Sequence, residues 1–274
     1  MNVAGRPMHY LKAIWARAYV RVVAANREPS WLITEVALPT LSILAYIFIY
    51  RAIGAPQVYE SLVVIGGAMM PLWAVVLWSM AAQFYWEKQV GNLDLFMASP
   101  TPHVVLLIGM ALGGMVLASV RSAGILLLGV IFFGVKFEVT SMSMVVVLFV
   151  LTLAALFTLG MAASSAYFMV GRAGIKINVV LMEPVFLLSG TYFPLKHLGF
   201  VLGIIGSLIP LSLGLDGIRQ LVLPGGYQLG FLSPTVEAII LAAMSVVFFF
   251  AALKLMNFMM RKGKEEGKMT LKWQ

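Results

Sequence analysis

Few side chains in this sequence have the type and spacing that chemistry demands. The three histidines, His9, His103 and His197, fall in separate parts of the chain, and His9 and His103 have no neighbouring carboxylate. Neither a metal centre nor an acid–base pair is suggested. There is no cysteine, so disulfide and thiol chemistry are excluded and the redox compartment stays open. Residues 263–269, GKEEGKM, resemble a phosphate-cradling loop but are one residue too short and lack the hydroxyl that would meet a metal. They read as a solvated tail. Two ionisable groups lie inside apolar runs: Arg121, and Glu183 beside Pro184. Charge at membrane depth is costly, so both are candidates for a structural ion pair or a substrate contact. Helical rise puts Arg121 on the order of 10 Å deeper than Glu183, so pairing them needs tilt or reach. Glu35 is close enough to a helix start to sit at the interface.

A second group of polar residues is concentrated in one interruption between apolar runs, residues 86–102, WEKQVGNLDLFMASPTP. Asn92 has the chemistry of a helix cap, and Asp94 would stand in the first turn, where the helix dipole favours negative charge. Pro100 and Pro102 forbid continuation. The stretch reads as a stiff helical knuckle outside the membrane, offered to a partner, or as a solvated loop with none.

The elements holding these residues are membrane helices. The 274 residues are 61% hydrophobic and 11% charged, where soluble domains carry about a quarter charged residues. Apolar runs at about 31–50, 58–82, 104–134, 143–170, 175–191 and 235–259 are read as six spans. The third is longer than a straight crossing needs, so it should tilt or project. No cleavable signal peptide is expected at the N-terminus, and there is little polar mass outside the spans for a soluble catalytic domain.

Residues 8–27 form an amphipathic helix with Leu11, Ile14, Trp15, Ala18, Val22 and Ala25 on one stripe, suited to an anionic leaflet or to a neighbouring subunit. Residues 198–223 are apolar enough for a further span. Positive charge argues against that: with both termini cytoplasmic, fourteen Lys and Arg fall inside and four outside, namely Arg51, Lys136, Lys196 and Arg219. Pro210, at mid-segment, then fits two half-helices forming a re-entrant outer hairpin. The net charge of +8 is explained by these flanking cations, with no nucleic-acid partner.

Two motifs in this frame resemble the transmembrane subunit of type-2 ATP-binding-cassette exporters. That family shows an acidic residue, then Gly-Thr-Leu-Glu, then a short helix ending in Ser-Pro. The corresponding residues are Glu87, then Gly91, Asn92, Leu93 and Asp94, then Ser99 and Pro100. Asn92 and Asp94 replace Thr and Glu, keeping a capping side chain and a carboxylate. The family's Ser-Gly-x-x-Phe-Pro has its counterpart in Ser189, Gly190, Tyr192, Phe193 and Pro194.

The resemblance implies an all-α integral membrane permease without a nucleotide site, with ATP and Mg bound by a separate ATPase subunit. It places the ATPase contact on the N-terminal helix and the 86–102 knuckle, where Glu87 and Asp94 would meet basic groups and Leu93, Leu95 and Phe96 would supply apolar contact. It makes the 189–194 turn part of an outer gate. Six helices are few for an enclosed route, so a second permease copy in the lipid bilayer is expected. Close-packing surface is available at Gly109, Gly113, Gly114, Ala118 and Ser122, and at residues 160–166, GMAASSA. The runner-up is a membrane scaffold or sensor that transports nothing and needs no ATPase.

Overall fold

Long apolar runs removed from water satisfy their backbone by coiling. The computed structural model describes residues 6–27, 29–91, 99, 101–170 and 172–265, and all regular structure among them is helical. In chain order, α1 is Arg6–Asn26 and α2 is Pro29–Ala52; α3, Val58–Ala74, runs through a π-helical stretch, Val75–Ala81, into α4, Gln83–Gln89. Then come α5, His103–Phe133; α6, Met142–Val170; α7, Arg172–Leu188; α8, Gly199–Ser207; α9, Pro210–Val222; and α10, Pro234–Glu265.

Among the described residues five helices are long and apolar enough to cross a membrane, within α2, α3 and its π extension, α5, α6 and α10. The stretch expected as a fifth span, 175–191, falls mostly in α7, a helix of 17 residues. The chain leaves it at Gly190, whose φ of +68° lies in the left-handed region that favours glycine. The 31 residues of α5 span about 46 Å, well beyond the roughly 30 Å of bilayer hydrocarbon.

The core is built around α3, buried at every position from Glu60 to Trp73. Glycines let its neighbours close in. A Cβ on Gly67 would lie 2.1 Å from Ile43 Cδ1 of α2, and one on Gly129 of α5 would lie 2.2 Å from Val64 Cγ1. Pro71 has no N–H to give, and the backbone widens just after it into the π turn, a recognised accommodation of a break in the ladder. The Leu77 carbonyl there accepts from Ala82 N at 3.3 Å and from the buried Asn178 Nδ2 at 2.9 Å, which fastens α7 to α3. Beyond this centre, α6 and α10 pack along each other.

Three of the small residues expected at a subunit contact are used within the chain. Gly109 and Gly113 seat α1: a Cβ on either would come within 2.6 Å of Ile14 O or 2.9 Å of Ala18 O. Gly160 receives the Met80 side chain. The expected stripe on α1 is therefore divided. Ile14 and Ala18 meet α5, whereas Leu11 and Trp15 turn outward, 62% and 72% exposed.

Candidate functional site

Two clusters occupy opposite ends of the bundle. At one end, α7 closes into the turn Ser189–Gly190–Thr191–Tyr192–Phe193–Pro194. Ser189 N bonds back to Val185 O at 2.7 Å, and Thr191 N to Phe186 O at 3.2 Å, giving the helix a glycine-terminated cap. Ser189 Oγ and Thr191 Oγ1 lie 2.7 Å apart, and both residues are buried. Tyr192 stacks on Tyr46 of α2, with ring centroids 3.9 Å apart, while Tyr50 OH donates to the Tyr192 carbonyl at 2.9 Å. The expected gate residues Ser189, Gly190, Tyr192, Phe193 and Pro194 thus form one turn locked to α2.

What locks it from the other side is Arg219, which sequence reasoning counted as an outer-loop charge. It is only 3% exposed. Its Nη1 donates to Gly190 O at 2.5 Å, its Nη2 to Thr191 O at 2.6 Å, and Nε and Nη2 both reach Leu62 O, at 3.1 and 2.7 Å. The fork of donors on a guanidinium suits such a set of carbonyls, and a lysine could not reproduce it. Gly66 completes the arrangement, since a Cβ there would lie 1.8 Å from Thr191 O. The signal that could have found Arg219 was its place one turn after Asp216 on a helix rich in Leu and Gly. Nearby, Arg51 at the end of α2 grips Glu60 at the start of α3 through two bonds of 3.0 and 2.7 Å.

At the opposite end, α4 carries Glu87 and is followed by a turn at Gly91, where φ is +80°. Trp86 and Val90 are exposed, 43% and 71%. Asn92, Leu93, Asp94, Leu95, Phe96 and Pro100 lie outside the described residues. Ser99 Oγ accepts from Thr101 N at 3.2 Å, and Thr101 Oγ1 is 3.3 Å from His9 Nε2, so the run-up to α5 is tied to α1. Glu87 acts on α1 as well. Arg21 is half-buried against α5, and desolvation together with the Arg121 charge lowers its pKa to about 10, while the Glu87 carboxylate pulls it upward. The acidic residue expected to face a partner therefore also has electrostatic work inside the chain.

The ion pair at depth differs from the one considered. Arg121 bonds Glu35, not Glu183. Glu35 lies six residues past the start of α2 at Pro29. Val36 packs on Gly124, which brings the two helices together at this level. Glu183 is exposed on α7, within electrostatic reach of Tyr192.

No curated protein matches the chain. A family model described as ABC-2 type transporter matches residues 10–223, from α1 to the end of α9. With a match over more than three-quarters of its length and a bundle of membrane-crossing helices around α3, the chain belongs to the ABC-2 type transporter family, as a multi-pass membrane permease that pairs with an ATP-binding-cassette subunit.

Proposed function

We propose that this permease exports an amphiphilic, lipid-like, drug-like or glycan substrate, driven by an ATPase subunit that binds the ATP and Mg. It has six spans, α7 joining the five long helices as the fifth in chain order, and α8 and α9 form a hairpin dipping into the outer leaflet. Both termini face the cytoplasm, the membrane is the plasma membrane, and two permease copies enclose the route. The outward side of α1, with Met8, Leu11, Trp15 and Tyr19 beside Lys12, meets the headgroups of the inner leaflet.

The observation that carries this reading is the contrast between the two ends. The hairpin end is knit shut by Arg219, Tyr50 and the Ser189–Pro194 turn. The α4 end presents Trp86 and Val90 to whatever lies outside the chain. An ATPase gripping Glu87, Gly91, Asn92, Leu93, Asp94, Leu95, Phe96, Ser99 and Pro100 would push on α4. That push passes straight through the π stretch into α3, whose first turns bear on Arg219. A lining rich in Leu, Phe and Met suits a substrate of variable shape.

The test is to reconstitute the chain with its ATP-binding subunit in nanodiscs and to screen amphiphiles and glycans for stimulation of hydrolysis. Stimulation by amphiphiles that fails with hydrophilic solutes supports the reading. Hydrolysis indifferent to every class of compound contradicts it.

A further inference from the structure

Behind the Arg219 clamp lies a pair of buried carboxyl groups that the transport reading does not use. Asp216, on the same helix α9, is 4% exposed, and its Oδ2 accepts from Phe231 N at 2.7 Å and from Gln220 Nε2 at 3.2 Å. The Arg219 charge stands close to it. With two donors and a nearby cation, Asp216 has what an ionised carboxylate needs.

Glu237, in the first turns of α10, has none of this. It is 0% exposed, and among the described residues no donor reaches either of its oxygens. Its carboxyl lies over the backbone of Gly217, where a Cβ would come within 2.4 Å of Oε2, beside the side chain of Leu148. The polar group it faces is the carboxyl of Asp216. Two carboxyls in contact repel when both are ionised and hydrogen-bond when one of them carries a proton.

We propose that Asp216 and Glu237 form a proton-binding site, with the proton held on Glu237 and donated to the Asp216 carboxylate, fastening the hairpin helix α9 to the last helix α10. Asp216 is the member that stays charged, because the donors and the cation are all on its side. Loss of the proton leaves two negative charges in contact across the α9–α10 seam and no basic group on α10 or α6 facing them. The seam then parts, and water entering it solvates both. Opening of this end and release of a proton to the adjoining aqueous phase are thereby one event. The site needs only the folded bundle, so it stands or falls separately from the ATPase-driven reading.

The test is infrared spectroscopy of the full-length chain in nanodiscs at neutral pH, where exposed carboxyls, titrating at about 4, are already ionised. The expected result is a carbonyl stretch of a protonated carboxylic acid that shifts on labelling with ¹³C-carboxyl glutamate, does not shift with labelled aspartate, and is lost in Glu237→Gln. The isotope arms use the wild-type chain, so the result does not depend on the variant folding. Absence of any protonated-carboxyl band overturns the proposal, as does a band that moves with labelled aspartate or survives in a folded Glu237→Gln chain.

Discussion

Arg219 is a buried cation whose hydrogen-bond partners are carbonyls from two places in the chain, α3 and the 189–194 turn. Replacing it with Met strands the carbonyls of Leu62, Gly190 and Thr191, and a buried acceptor left unmade costs about 1–3 kcal/mol. A loss of several kcal/mol is expected for Arg219→Met in thermal unfolding in detergent. Arg219→Lys should fall between, since the charge remains and the fork does not. Gly66→Ala tests the same junction from α3: its methyl would collide with the Thr191 carbonyl, and roughly 1–3 kcal/mol of overpacking strain is expected. Removing either partner of the largely buried Arg121–Glu35 pair should cost about 3–5 kcal/mol, while the double variant Arg121→Met with Glu35→Met should recover most of it. A double-mutant cycle read by thermal unfolding checks this, and additive losses would contradict a direct pair.

At the scale of elements, the helix pattern was legible because it rests on length and apolarity alone. The expected bounds of the long spans lie within a few residues of α2, α5 and α6, and Pro210 correctly divided 198–223 into two helices. Partners were not legible, because pairing depends on rotation and depth. The GxxxG row of α5 reads the same whether its groove takes another subunit or the chain's own α1. Likewise nothing in the sequence paired Arg121 with Glu35 rather than Glu183, since the contact depends on how α2 and α5 are rotated toward each other. The packing of α1 yields a prediction at this scale. Gly113→Val places a branched side chain where even a Cβ meets Ala18 O at 2.9 Å, so α1 should be displaced from α5 while the rest of the bundle survives. Faster proteolysis within residues 6–26, with an unchanged melting transition for the bundle, is the expected outcome. Unchanged cleavage would mean that α1 docks by other contacts.

For the whole molecule, the pattern is a bundle tied together at one end by Arg219 and the 189–194 turn, with Trp86 and Val90 exposed at the other. Of the 86–102 knuckle, the stiff entry on α4 and the Ser99–Thr101 exit are defined, and both are bound to α1 through Glu87–Arg21 electrostatics and His9–Thr101. An ATPase bound there would move α1, α4 and α3 together. The central claim is that motion at α4 drives the pathway. Its most direct test is the ratio of transport to ATP hydrolysis in proteoliposomes holding the permease and its ATP-binding subunit, wild type against a Glu87→Ala, Leu93→Ala double variant. The account predicts that the variant assembles and hydrolyses ATP while transport per ATP falls at least about tenfold, the equivalent of about 1.4 kcal/mol of lost coupling. An unchanged ratio in a fully assembled variant, or transport by the permease without any ATPase, would contradict it.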